Sequence, residues 1–131
     1  MLLALVPSCQ TTEQTPKSTY YQDIQRLENH LSNDHITKAE YIRELIQLDA
    51  KKGEESSKQW NALMLKNPHA EGIHDPLRHG LHFNLIEKAK EAGEITEIEY
   101  KELRKMAKEA RQARSMRNNK RMMERFKLGY H

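Results

Sequence analysis

One local instruction is spelled twice in this chain. Ile36-Thr37-Lys38-Ala39-Glu40-Tyr41 returns 59 residues later as Ile95-Thr96-Glu97-Ile98-Glu99-Tyr100. Each copy is a complete helix entry. The Thr hydroxyl accepts the backbone N–H three residues on, and the Glu carboxylate reaches back to the Thr N–H, which makes a capping box. The Ile before the cap and the Tyr at the fourth helical position form a hydrophobic staple. Two such entries commit the chain to at least two helices with defined starting points.

An amphipathic stretch precedes each entry. Tyr20, Ile24, Leu27 and Leu31 step by four, three and four, which sets them on one helical face. Leu77, Leu81, Leu85 and Lys88/Ala89 do the same upstream of the second entry, with Asp75 as N-cap and Pro76 at the first helical position. Gly93 supplies a left-handed C-terminal turn there, and Asn33-Asp34-His35 stands in its place in the first copy. Each copy is therefore helix, tight turn, capped helix. A hairpin this small buries little alone, so the two are expected to pack on each other or on something else.

Composition agrees. Five Gly and four Pro fall where helices should begin or end, which excludes a Gly-punctuated sheet protein. Hydrophobic residues at 37% and charged residues at 31% leave enough periodic Leu, Ile and Tyr for ordered helices with polar ends. The expected fold class is all-α: tandem α-hairpins, as two capped helix-turn-helix units, with a long basic C-terminal helix. The chain divides into a signal-peptide-like segment at 1–8, a flexible tether at 9–18 and a first hairpin plus short linker helix at 19–67. A second hairpin at 68–113 and a basic extension at 114–131 complete it.

Within the linker, Gly53 is expected to end or bend the second helix. Trp60, Leu63 and Met64 then form a short helix of their own, closed by Asn67-Pro68. Trp60, the only tryptophan, is placed where the hairpins pack, its alternative being an interface anchor. His69, His74, His79 and His82 fall within fourteen residues. A metal site needs three or four converging ligands, usually with Cys or a placed carboxylate, and no His-Glu-x-x-His pattern is present. These histidines are read as polar and capping residues, with no metal or cofactor. There is no Gly-x-Ser-x-Gly, no phosphate-cradling Gly loop and no supported Cys/His pair, so no catalytic residue is assigned and enzymatic activity is not expected.

Charge is unevenly spread. From Arg104 onward ten Lys or Arg face two Glu, whereas the preceding residues carry twelve basic against seventeen acidic groups. Met106, Ala110, Ala113, Met116, Met123 and Phe126 approximate a narrow apolar stripe flanked by these cations. Met adapts to a partner's surface and Ala permits close approach, so a helix lying in the groove of a partner protein is expected. Met106, Arg114, Met116, Arg117, Arg121, Met123, Arg125 and Phe126 are the candidate partner-binding residues. The same composition suits a nucleic-acid-binding arm, or a basic helix on an anionic membrane or cell-wall polymer. Asn118-Asn119 is a candidate break, and Leu128-Gly129-Tyr130 a frayed end.

Two resemblances add to this. Val6-Pro7-Ser8-Cys9, after a brief apolar run and before a Thr/Gln/Pro/Ser-rich stretch, resembles a bacterial lipobox, with an apolar residue three positions before Cys and a small one just before it. The run is shorter than an ordinary signal peptide's and no Lys or Arg precedes it. The resemblance implies acylation of Cys9. Gln10, in the place of an Asp, implies sorting to the outer membrane of a Gram-negative cell, facing the periplasm. Gly93, Ile95, Thr96, Glu99, Tyr100, Leu103 and Lys105 are similar to the pattern of the short C-terminal domain (SHOCT) family, over about 30 residues and more weakly from Ile24 to Asp49. That family implies a helical hairpin used for oligomerisation or tethering, with no catalytic residues. The expectation is a small non-enzymatic, lipid-anchored envelope protein, an accessory subunit that binds a partner protein in a membrane-associated complex. The alternative is a cytoplasmic nucleic-acid-binding accessory protein.

Overall fold

A computed structural model describes residues 16–67 and 79–127. Four helices account for almost all of them, with no strand among the described residues: α1 (Pro16–Ser32), α2 (Lys38–Lys66), α3 (His79–Glu91) and α4 (Glu97–Lys127). The fold is all-α.

The two turns are built alike, atom for atom. At α1's end the His35 N–H reaches the His30 carbonyl at 2.8 Å and the Asp34 N–H reaches Leu31 at 3.1 Å. At α3's end the Glu94 N–H reaches Ala89 at 2.9 Å and the Gly93 N–H reaches Lys90 at 3.1 Å. These paired bonds are the Schellman motif, which needs a left-handed residue at its corner. Gly93 takes that role with φ 74°, and Asp34 takes it with φ 58°. Capping boxes follow at once. Thr37 accepts from the Glu40 N–H at 3.1 Å while its own N–H donates to Glu40 Oε1 at 2.8 Å, and Thr96 with Glu99 repeats both distances.

Both hairpins are antiparallel, but α2 and α4 run in the same direction. Arg43 lies 3.9 Å from Glu102 near their starts, and the Arg121 guanidinium sits 5.7 Å from the Trp60 ring centroid near their ends. Their facing rows share one rhythm. On α2 the row is Ile42, Ile46, Asp49, Gly53, Ser56 and Trp60, all buried. On α4 it is Leu103, Ala107 and Ala110, all buried, followed by the half-buried Arg114, Arg117 and Arg121. Alternating steps of four and three are the signature of long, nearly aligned helices. With Ala39, Ile86, Ala89 and Ile95, the first half of each row forms the hydrophobic core. α3 closes this core against α2 and α4, while α1 packs on α2 through Tyr20 and Leu27.

Three sequence expectations are corrected here. Gly53 does not end its helix, and Trp60 belongs to α2, whose 29 residues run on to the Asn67 cap. A mid-helix Gly costs about 1 kcal/mol relative to Ala, and the continuous inward row through Gly53, Ser56 and Trp60 outweighs it. Asn118-Asn119 likewise lies inside an unbroken α4. The inward face of α3 is His82, Ile86 and Ala89, with Leu81 left 38% exposed, because His82 is drawn in by a charged partner described below. Asp75, Pro76 and Leu77 lie outside the described residues, as do His69, His74 and the segment after Lys127.

A methyl group on Gly93 would meet nothing within 4 Å, so Gly93→Ala tests the backbone alone. It is expected to destabilise the protein by about 1 kcal/mol, and Asp34→Gly to leave stability unchanged or raise it by up to about 1 kcal/mol. Urea unfolding midpoints at unchanged slope measure both.

Candidate functional site

A straight helix turns about 100° per residue, so a row of side chains drifts unless its spacing averages 3.5 to 3.6. The stripe anticipated on α4 has spacings of four, three, three, seven and three, and it drifts. Met106 is half-buried against the core and Ala110 is inside it. Met116, Met123 and Phe126 emerge on the opposite side, 71%, 60% and 65% exposed. Met122 joins them at 69%, and Leu65 stands 81% exposed near the end of α2.

The cations divide as well. Arg114, Arg117 and Arg121 lie on α4's inward row, at the levels of Gly53, Ser56 and Trp60. Arg121 is held there by a hydrogen bond donated to Asn118 and by the Trp60 ring. Lys105, Lys108, Lys120 and Lys127 remain exposed. The eight candidates therefore form no single surface: three Arg face the seam, three apolar residues face outward, and Met106 helps seal the core. Cys9 and the Arg125 side chain lie outside what the structure describes.

A second cluster was not anticipated as a unit. Asp49 and His82 are both fully buried, with His82 Nε2 2.8 Å from Asp49 Oδ2. The Tyr20 hydroxyl donates to the other carboxylate oxygen. One carboxylate thus gathers groups from α1, α2 and α3. Asp49 and His82 are both shielded from solvent, and the trio joins α1, α2 and α3. The signal in the sequence was the row Ile42, Ile46, Asp49: a carboxylate at a core position demands a hydrogen-bonding partner, and the downstream histidines were available to supply one.

The second hairpin has its own polar clasp on the surface. Tyr100 Oη donates to Glu87 Oε2 at 2.6 Å, and Arg104 Nη1 donates to the same oxygen at 2.7 Å and to Tyr100 Oη at 3.0 Å. The Tyr100 hydroxyl, then the Arg104 guanidinium, hold the Glu87 carboxyl below its ordinary range against the opposing effect of desolvation. The same hydroxyl, then Glu87, raise Arg104 above its ordinary value. Arg104 and Arg111 also stack over Phe83 at 5.8 and 5.3 Å. Both charges are about 40% exposed, so solvent screens the clasp and it aligns α3 on α4 more than it stabilises them.

Among the described residues no three His, Cys, Asp or Glu side chains gather as a metal site, and no helix is long and apolar enough to cross a membrane. No protein-family model matches the chain, and comparison with curated proteins and with solved structures likewise gives no match.

Removing one partner of the buried pair should be costly. Asp49→Ala is expected to lose about 3–5 kcal/mol, and the triple change Tyr20→Phe, Asp49→Leu, His82→Leu to recover most of it; thermal unfolding followed by circular dichroism compares them. For Glu87 the folded pKa is lowered, so its stabilisation is present above the unfolded value of about 4.3 and is lost as pH falls through the folded pKa. The stability gap between wild type and Glu87→Gln should therefore close on acidification below pH ~4.3, as read from unfolding curves across that range.

Proposed function

We propose that this is a small, non-enzymatic, lipid-anchored protein of the bacterial envelope, facing the periplasm from the outer membrane and acting as an accessory subunit that binds a partner protein. The observation that carries the docking part is the outer face of α4. This helix outruns the hydrophobic core by more than four turns, and there it exposes Met116 and Met123 among lysines. Large flexible apolar side chains on a basic face suit an acidic, groove-bearing partner. The anchor is supported by Val6-Pro7-Ser8-Cys9 and the polar stretch that follows. A tethering role is supported by the likeness of the second hairpin, and more weakly of the first, to the SHOCT pattern. Acylation confines the protein to a membrane surface, the hairpins give it a rigid body, and α4 meets the partner.

The mass and membrane partitioning of the full-length protein, made in a Gram-negative host beside Cys9→Ser, test the anchor. Wild type should lose residues 1–8, gain acyl mass on Cys9 and fractionate with membranes, and the variant should not. Met116→Glu with Met123→Glu should reduce recovery of the co-purifying partner about tenfold or more, equivalent to at least about 1.4 kcal/mol, without changing the unfolding midpoint. A chain ending at Ala113 keeps every residue of the hydrophobic core and should lose the partner altogether. Unchanged recovery by both would remove the docking reading. Salt-sensitive retention of RNA by wild type, lost from the truncated chain, would favour nucleic acid instead.

A further inference from the structure

We infer that the shared end of α2 and α4 is a lipid-contacting tip, seated on an anionic bilayer surface. This rests on the lipid-anchor reading for its geometry and goes beyond it by assigning a second membrane contact within the folded body.

Position comes first. Thr19 of α1 and Glu55 of α2 line one cleft, so α1 begins about level with residue 58 of α2. From there α2 runs eight more residues to Lys66, about 12 Å. The Arg121–Trp60 contact sets Lys127 of α4 level with Lys66. The paired ends therefore overhang the start of α1 on the side from which the chain leads back to Cys9. The seven residue steps from Cys9 to Pro16 span at most about 25 Å. A tether of that length can pass the overhang and still keep the tip at the surface in which the acyl chains sit.

Chemistry comes second. Leu65, Met122, Met123 and Phe126 are each at least 60% exposed at this end. The three on α4 share one outward arc of about 100°, and Leu65 lies on the other helix. A lipid interface takes such an apolar face when long cations beside it reach back to the headgroups. Lys66, Lys120 and Lys127 are exposed there. Each such cation near an anionic surface contributes about fivefold to binding. The same charge argues against a second copy of this chain, whose tip would be equally basic.

The test uses full-length Cys9→Ser protein, which carries no acyl group, sedimented with phosphatidylcholine vesicles with and without phosphatidylglycerol. Binding should require the anionic lipid and weaken with added salt. It should fall about tenfold or more when Leu65, Met122 and Phe126 are changed to Ser, with helicity and unfolding midpoint unchanged. Both chains retain residues 1–8, so the difference between them belongs to the tip. Equal binding by the two proteins, no binding to anionic vesicles, or tip-independent binding to RNA alone overturns the inference. The acyl mass of wild type separates the two readings. A tip-dependent Cys9→Ser protein beside an unacylated wild type upholds the tip and removes the anchor. An acylated wild type whose Cys9→Ser counterpart ignores vesicles overturns the tip and leaves the anchor.

Discussion

A single buried carboxylate holds the arrangement of helices together. Asp49 cannot remain charged in the interior without hydrogen-bonding partners, and Tyr20 of α1 and His82 of α3 provide them, one to each carboxylate oxygen. α1 packs its backbone along α2, and its docking there rests on Tyr20, Leu27 and this bond. The hydrophobic core is small and much of it is Ala. Alanines allow close helix contact but discriminate poorly between registers, since sliding one past another changes little area. A buried, hydrogen-bonded carboxylate discriminates sharply: one helical turn of slippage would strand Asp49. The cluster therefore contributes more to choosing one arrangement than to net stability, as buried polar groups in such cores can.

The seam between α2 and α4 extends that logic beyond the core. Between Ile46 and Trp60 on α2, and after Ala110 on α4, the facing rows lose their apolar residues, yet the helices meet again at Trp60 and Arg121. Gly53, Ser56 and Ser57 are small residues at the levels of the half-buried Arg114 and Arg117, whose guanidinium Nε atoms are themselves inside. This division of labour removes three guanidinium groups from the surface and leaves the methionines on it. A helix that outruns its core exposes side chains for some external use, or it frays; here the Trp60–Arg121 contact secures the extension.

What was legible in the sequence was what is local. Thr37 with Glu40, Thr96 with Glu99, and the left-handed corner at Gly93 are decided within six residues, and the structure forms each of them. Asp34 takes a glycine's conformation because its short polar side chain tolerates it. What was misread depends on distant partners. Leu81 looked like part of α3's inward face until Asp49, 33 residues from His82, claimed the imidazole, while Leu85 keeps a half-buried place against the core. Gly53 looked like a stop because the inward row around it, Asp49, Gly53 and Ser56, is not apolar. Arg114, Arg117 and Arg121 looked like docking residues because nothing local shows that α2 runs beside them. In each case the spacing of four and three was present, occupied by residue types that a search for apolar periodicity passes over.

The duplicated helix entry also gives the molecule a direction. Two equivalent caps set α2 and α4 parallel, so their C-terminal ends emerge together, and their aligned dipoles place about half a negative charge at each end. Some of the basic residues near Lys66 and Lys127 are therefore explained within the fold, as neutralisers of two adjacent helix termini. They exceed that need. About one unit of negative charge from the paired dipoles is met by six cations and one Glu between Arg114 and Lys127. Lys66, Lys120 and Lys127 stand exposed at this end, and an anionic surface lowers the free energy of keeping these cations together.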